Sequence, residues 1–166
     1  IVATNSLGVN LEEIFELIKN DDVKINLDII ENKTIKELYK LIVKYELQDR
    51  AFLTGIESAD VDKVKENCPG ISYYLNYSPS RIKIFSEDYQ NKIIDLLEET
   101  GAVGINCNYV FASRTLSTLL HDNGYKLSEW TVDKSYQMKR ALINNPDNIT
   151  TRHPDRIRDI ITYWGE

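Results

Sequence analysis

The stretch Lys126–Asp155, KLSEWTVDKSYQMKRALINNPDNITTRHPD, decides the fold class of this chain. It predicts a strand that ends in Trp-Thr-Val, a short helix around Met138, a brief apolar segment and a helix that begins near Pro154. Proline is tolerated in the first turn of a helix, because the amide hydrogen that it lacks would have no partner there. This alternation is typical of a parallel sheet with helical crossovers, whose functional residues lie at the carboxyl ends of the strands.

The same alternation runs through the rest of the chain. Apolar residues at helical spacing predict a first helix over residues 11–18. Thr34, followed three residues later by Glu37, predicts a capping box at the start of the next helix. Strands are predicted over six segments, namely Val23–Ile30, Arg50–Ile56, Gly70–Leu75, Ala102–Tyr109, Tyr125–Val132 and Asn148–Thr151.

Six βα units in succession favour an α/β fold of the TIM-barrel type with a parallel sheet. A TIM barrel closes with eight strands and typically needs about 250 residues, whereas this chain has 166 residues. We therefore expect residues 1–166 to form a single domain that is the carboxyl-terminal portion of an incomplete barrel. Ile1-Val2-Ala3 would then be the end of a strand from the missing part. An open six-stranded sheet of another α/β type is the alternative.

The composition argues against several classes of protein. A net charge of −6 and a pI near 5.0 argue against a nucleic-acid partner, because phosphate contacts need clustered Lys and Arg. No apolar run approaches the roughly 20 residues of a membrane span, and no signal-peptide pattern opens the chain. Cys68 and Cys107 are too few for a disulfide framework or a zinc site. The Lys-, Ile- and Asn-rich usage favours a bacterial cytoplasm as the compartment.

Several short motifs, in a consistent order, resemble those of the glycerophosphodiester phosphodiesterase family. Leu120–Gly124 (LHDNG), followed by Trp130-Thr-Val, is similar to the family's L-H-x-x-G and W-T-V-N. Ile25–Asp28 (INLD) is similar to its N-I-E-L-K strand. Ile149–Asp155 (ITTRHPD) is similar to I-I-T-D-R-P-D. The resemblance covers nearly the whole chain.

This resemblance implies hydrolysis of a small-molecule glycerophosphodiester to glycerol 3-phosphate and an alcohol, a reaction of lipid and glycerol metabolism. The family uses a divalent cation, Mg²⁺ or Ca²⁺, to neutralise phosphate charge and two histidines as acid and base. The motifs that carry these histidines and the first two metal carboxylates are missing from the sequence. We therefore predict no catalytic residue in this chain and no hydrolysis by it alone. The alternatives are a non-catalytic barrel remnant and a domain that binds a small phosphorylated ligand.

Asp28 is the residue that the resemblance assigns to the metal, in the place of the family's third metal carboxylate. A hard oxygen ligand at the end of a strand suits Mg²⁺ or Ca²⁺. Asp in place of the usual Glu shortens the side chain by one methylene, and Ile30 replaces a Lys that faces phosphate. The other interpretation is that Asp28 caps or hydrogen-bonds the following loop.

Trp130 and Arg152 are the predicted substrate-binding residues. Trp130 aligns with the family's active-site Trp, whose ring would lie under the glycerol, although packing at the barrel mouth is its alternative role. Arg152 replaces the Asp of T-D-R-P and suits bidentate contact with phosphate, although an ion pair with Asp155 is equally consistent with the sequence. His121, inside a predicted helix, is expected to be structural.

An incomplete barrel also predicts an assembly state. Two open sheet edges would expose unpaired backbone groups and apolar interior. We therefore expect a homo-oligomer or association through these open edges.

Overall fold

The computed structural model describes residues 10–163, in which helices and strands alternate. The chain divides into two compact units, Ile1–Tyr73 and Tyr74–Glu166. The prediction for Ile1-Val2-Ala3 lies outside the described residues, and the single domain over residues 1–166 stays a prediction. The helices are α1 (Leu11–Ile18), α2 (Ile35–Lys44), α3 (Val61–Asn67), α4 (Glu87–Thr100), α5 (Arg114–Asp122), α6 (Ser135–Asn144) and α7 (Pro154–Tyr163). The strands are β1 (Ile25–Asp28), β2 (Ala51–Ile56), β3 (Ser72–Asn76), β4 (Gly104–Asn108), β5 (Lys126–Trp130) and β6 (Asn148–Ile149).

The first unit contains a parallel pair of strands, β1 and β2. Ile25 lies opposite Ala51, and Asp28 at the end of β1 lies opposite Thr54. Ile25 and Leu27 are buried. On the alternate face, Asn26 is half-buried and Asp28 is exposed. The pleat therefore separates an apolar face from a polar one on the same strand.

The start of α2 differs from the predicted capping box. Thr34 has helical backbone angles and makes no side-chain cap hydrogen bond; its hydroxyl instead donates to the carbonyl of Glu31 at 2.8 Å. The reason is the 3-10 turn Asn32–Thr34, which precedes α2 and places Thr34 inside a helical turn. An N-cap residue needs extended backbone angles for its oxygen to reach the free amides, so the prediction is wrong here.

The second unit contains four parallel strands in chain order. Tyr74 of β3 lies opposite Gly104 of β4, which in turn lies opposite Lys126 of β5. Ser128 of β5 lies opposite Asn148 of β6. A Cβ atom at position 104 would lie 2.0 Å from the carbonyl oxygen of Lys126, so the close approach of β4 and β5 requires glycine. The predicted α/β pattern with parallel strands is confirmed.

Two helices of the second unit, α5 and α7, begin at residues that suit a helix start. The Ser113 hydroxyl accepts a hydrogen bond from the Leu116 amide at 3.2 Å, which caps α5, and α7 begins at Pro154. Ile157 and Ile160 of α7 pack on a buried cluster of Val132, Met138 and Ala141. Ile161, the next residue on α7, is 55% exposed. Among the helices described, none is both long and apolar enough to cross a membrane.

Candidate functional site

The polar face of β1 and β2 holds Asp28 in place through a threonine hydroxyl. Thr54 Oγ1 lies 3.0 Å from Asp28 Oδ1 and 2.9 Å from Asn26 Oδ1. A hydroxyl has one proton to donate, so Thr54 shares it between the two acceptors. Thr54 itself is 3% exposed, whereas Asp28 is exposed. The buried hydroxyl therefore positions a carboxylate that remains accessible to solvent and ligands.

Gly55 lets the backbone of β2 approach this carboxylate. Its φ of +79° lies in the left-handed region, which favours glycine. A Cβ atom there would lie 2.5 Å from the carbonyl oxygen of Ile29 and 2.9 Å from Asp28 Oδ1. The geometry around Asp28 thus depends on the absence of a side chain at position 55.

The loop after Asp28 contains an exposed apolar residue where the family pattern has a cation. Ile30 is 89% exposed. Among residues 10–163, no group of three or more His, Cys, Asp or Glu side chains is placed to hold a metal ion. Asp28 is therefore a candidate for one ligand of a cation site, and the described residues do not fit a complete site.

A row of polar side chains crosses the second unit near the carboxyl ends of its strands. Asn106 Nδ2 donates to Asn76 Oδ1 at 2.8 Å, and Asn148 Nδ2 donates to Ser128 Oγ at 2.9 Å. These four residues share one face, because Asn76 lies opposite Asn106, Asn106 opposite Ser128, and Ser128 opposite Asn148. Asn106 and Ser128 of this row are buried, and the row alternates along the strands with Leu75, Ile105 and Leu127, which have no exposed surface.

Trp130 is the last residue of β5 and continues this polar face. It lies opposite Asn108, one pleat beyond Ser128, and its side chain is 37% exposed. The Trp130 carbonyl accepts a hydrogen bond from the Tyr109 amide at 2.9 Å, and the peptide bond to Thr131 is cis. Trp130 therefore lies at the carboxyl end of the strands, with its side chain partly open to solvent.

Arg152 follows β6 and pairs with Asp133, not with Asp155. Its Nη1 lies 2.5 Å from Asp133 Oδ2, and its amide donates to Asp133 Oδ1 at 2.9 Å. These bonds, the one from the Arg152 amide above all, lower the pKa of Asp133. Asp155 instead lies 3.6 Å from Arg158 within α7. The alternative interpretation, an ion pair between Arg152 and Asp155, is therefore wrong. The partner of Arg152 is Asp133, three residues after Trp130.

His121 has a structural environment at the other end of the strands. Its Nε2 lies 2.9 Å from Asp147 Oδ2, and the same carboxylate oxygen accepts a hydrogen bond from the Leu127 amide at 2.9 Å. Leu127 is near the start of β5. His121 therefore ties α5 to the amino-terminal part of this strand, as the sequence predicts.

The helix-covered face of β5 carries a buried acid that sequence reasoning missed. Glu129 has no exposed surface; its Oε1 accepts a hydrogen bond from Asn144 of α6 at 3.0 Å, and its Oε2 has no partner among the described residues. Burial raises the pKa of Glu129 to about 7, against the opposing effects of Asn144 and Arg140. Burial, together with the charge of Glu129, raises the pKa of Cys107 on β4 to about 12.

The predicted site residues fall into both units. Asp28 lies in the first unit, and Trp130 and Arg152 lie in the second, at the ends of adjacent strands. Sequence reasoning missed Thr54 and Asp133, which hold Asp28 and Arg152. Thr54 lies opposite Asp28 on the neighbouring strand. A prediction of how β1 and β2 pair would therefore have identified it.

One curated protein resembles this chain over most of its length. No family model matches the chain. A curated glycerophosphodiester phosphodiesterase of Caldanaerobacter subterraneus subsp. tengcongensis is 23% identical over 160 residues, which cover 93% of this chain and 62% of the relative. The resemblance to the glycerophosphodiester phosphodiesterases is confirmed. The chain thus spans less than two thirds of the length of this curated relative.

Solved structures show the same fold. A phosphodiesterase of Oleispira antarctica, in complex with the product sn-glycerol-3-phosphate, matches with a TM-score of 0.67 and 18% identity over 92% of this chain and 60% of that one. A glycerophosphodiester phosphodiesterase of Thermotoga maritima matches with a TM-score of 0.63 and 18% identity over 93% of this chain and 63% of that one. The expected fold, an incomplete TIM-barrel type with six βα units, is therefore confirmed.

Proposed function

We propose that this chain is the carboxyl-terminal part of a glycerophosphodiester phosphodiesterase. The complete protein would hydrolyse a glycerophosphodiester to glycerol 3-phosphate and an alcohol. The observation that supports this most is Asp28, an accessible carboxylate at the carboxyl end of β1 that is held by Thr54, and that the family resemblance assigns to the metal. The name and product of the relatives fit the same reaction.

In this proposal Asp28 is one ligand of a divalent cation, Mg²⁺ or Ca²⁺. Such a cation, when bound, neutralises negative charge on the phosphate. A hard carboxylate oxygen suits either ion. The described residues do not provide the other acidic or histidine ligands, so the complete protein would have to provide them.

Trp130 and Arg152 are the proposed substrate contacts. The partly exposed indole of Trp130 offers an apolar surface to the carbon skeleton of the glycerol. Arg152 is 68% exposed at its side chain and pairs with Asp133. A guanidinium has five N–H donors in a planar fork, so the pair with Asp133 leaves it capacity for a phosphate oxygen. Asp133 would then orient Arg152 for this contact.

Two alternatives make different predictions. The chain could instead be a non-catalytic remnant of such a barrel, or a domain that binds a small phosphorylated ligand. The exposed Ile30, in place of a cation that faces phosphate, favours these alternatives. The association through open sheet edges and the cytoplasmic compartment also stay predictions.

The test uses the full-length protein with glycerophosphocholine and either Mg²⁺ or Ca²⁺. We expect cation-dependent release of glycerol 3-phosphate, and a loss of at least about a hundredfold in kcat/KM for Asp28→Ala, because a metal ligand is removed. Asp22→Ala, at an exposed acid outside the strands, is the matched control and should leave the rate unchanged.

Three other results would separate the alternatives. No turnover by the full-length protein, with binding of glycerol 3-phosphate in calorimetry, would support the ligand-binding domain. Neither turnover nor binding would support the remnant. Turnover by the isolated 166-residue chain that Asp28→Ala abolishes would show that this chain needs no further residues.

A further inference from the structure

The sheet of the second unit has a polar face on the side turned away from its helices. Glu129 marks the helix side, because Asn144 of α6 bonds its carboxyl group. From Tyr74 onward, the other face of β3–β6 carries four asparagines, a serine, two aromatic rings, a glycine and a lysine. The interior of a TIM-type barrel is normally filled by Val, Ile and Leu. Proteins tend to break such packing rules at functional sites.

Two hydrogen-bonded pairs of the same design lie on this face. We name Asn76, Asn106, Ser128 and Asn148 the polar row. Asn106 Nδ2 donates to Asn76 Oδ1 at 2.8 Å, and Asn148 Nδ2 donates to Ser128 Oγ at 2.9 Å. An asparagine side chain has an acceptor oxygen as well as its two N–H donors. In each pair the donating amide therefore keeps its own Oδ1 for a further partner.

The oxygen of Asn106 is accessible although the side chain is nearly buried. Asn106 is 5% exposed, and its Oδ1 accepts no hydrogen bond from the part of the chain that the structure describes. In that same part, Glu129 Oε2 is the one side-chain atom that is both fully buried and unpaired. The small exposed part of Asn106 therefore includes Oδ1. An acceptor in such a place costs free energy unless a ligand or water donates to it.

The amide oxygens of Asn106 and Asn148 favour a ligand with several O–H donors. The two residues lie two strands apart, roughly 10 Å between backbones, so a ligand that reaches both needs hydroxyls on separate carbons. A phosphodiester group offers only acceptors, and a quaternary ammonium has no N–H. A primary ammonium can donate, but uncharged amides compensate poorly for the desolvation of a cation.

We propose that the polar row binds the polyol half of the substrate, an inference that rests on the proposed function. Trp130 lies one pleat beyond Ser128, which places the row roughly 7 Å deeper than the indole along the strands. With the glycerol at Trp130, the group that reaches the row is the alcohol on the other side of the phosphodiester. The preferred substrate is then a glycerophosphodiester of a polyol, and glycerophosphocholine is a slower one.

The test compares kcat/KM of the full-length protein for glycerophosphoglycerol, glycerophosphocholine and glycerophosphoethanolamine. We expect a preference of at least about tenfold for glycerophosphoglycerol, because hydrogen-bonding sites reject substrates that leave them unpaired. Asn106→Leu should remove this preference by slowing glycerophosphoglycerol alone. Asn106→Asp keeps an acceptor and adds a charge, so it should raise the relative rate for glycerophosphoethanolamine by about tenfold. A merely structural role of Asn106 would not move these ratios.

The control changes an asparagine outside the polar row. Asn91→Leu, at an exposed position of α4, should keep the ratios of the parent. Thermal unfolding shows whether each variant folds, and Asn148→Leu, at a half-buried position, replaces Asn106→Leu if the latter does not fold. The proposal is overturned if the parent hydrolyses the three substrates at similar rates, or if the folded leucine variant slows all of them equally.

Calorimetry separates this proposal from the proposed function. If the full-length protein hydrolyses none of the three substrates, the proposed function fails, and binding of glycerophosphoglycerol tests the polar row by itself. Binding that Asn106→Leu weakens by at least about tenfold, and that Asn91→Leu leaves unchanged, would support the row as a polyol site. Absence of binding, or equal binding by the parent and Asn106→Leu, would overturn it.

Discussion

Asp28 and Glu129 are both acids on parallel strands, yet they lie in opposite environments. Asp28 is exposed at the end of β1, where the Thr54 hydroxyl lies 3.0 Å away. Glu129, one residue before the end of β5, is fully buried and accepts one hydrogen bond from Asn144. A solvated carboxylate keeps its charge at little cost, whereas a buried one must be paired or take up a proton.

The difference follows from the phase of each residue in its strand. Successive side chains point to opposite faces, so Asp28 shares the face of Asn26, and Glu129 shares that of the buried Leu127. Residue type alone therefore does not identify a site acid. An acid in phase with polar neighbours is a candidate ligand, and an acid in phase with core residues is a structural group.

Gly55→Ala should show how strongly the Asp28 environment depends on close packing. The new Cβ would lie 2.5 Å from a backbone oxygen, at a φ of +79°. Steric overlap and the left-handed backbone together predict a loss of roughly 4 kcal/mol in the free energy of unfolding. Urea denaturation followed by circular dichroism measures this loss.

Gly70→Ala is the matched control for the backbone term. Gly70 has the same kind of φ, +78°, but no atom within 4 Å of an added Cβ. Gly70→Ala should therefore lower the free energy of unfolding by only about 1 kcal/mol. Equal losses for the two variants would mean that the contacts around Asp28 are looser than the structure indicates.

Glu129 predicts a pH-dependent stability. Burial raises its pKa from a usual 4.5 to about 7 in the folded chain, so the folded state binds the proton more tightly than the unfolded state. The stabilisation of the folded chain by protonated Glu129 is fully present below pH 4.5 and is lost as the pH rises through about 7. The loss is on the order of 3 kcal/mol, measured by denaturation from pH 4 to 8.

Glu129→Gln should remove this part of the pH dependence and make the chain more stable than the parent at pH 8. Asn144 can still donate to the amide oxygen, so the hydrogen bond at Oε1 is kept. Glu98→Gln, at an exposed position of α4, is the control and should leave the profile unchanged. If the stability of Glu129→Gln depends on pH as that of the parent does, groups other than Glu129 cause the pH dependence.

The fold could be predicted well from local patterns. The six strands and the start of α7 at Pro154 are found where periodicity and proline placed them, because apolar spacing reports burial directly. Four strands, namely β1, β4, β5 and β6, end earlier than predicted, since β-favouring residues continue into the loops. Thr34 failed as a cap because the 3-10 turn before α2 is decided by backbone geometry that residue types at two positions do not encode.

The candidate site could be predicted only in part. Asp28, Trp130 and Arg152 were named from a family resemblance and do lie at or just beyond strand ends. Their supporting contacts depend on pairing across strands or loops, as with Thr54 and Asp133. These contacts join residues 26 and 19 positions apart, and a single sequence carries no local signal for such pairs.

Asp28→Asn gives the smallest expected change in stability and completes the comparison with Glu129. An exposed amide can still accept the Thr54 hydrogen bond at 3.0 Å, so the free energy of unfolding should change by less than about 0.5 kcal/mol. The same variant should lose cation-dependent turnover in the full-length protein, because an amide is a weaker ligand than a carboxylate. Denaturation at pH 8 together with the activity assay checks both. A large loss of stability would indicate that Asp28 serves mainly the fold, since a residue kept for ligand binding can be neutralised without cost to folding.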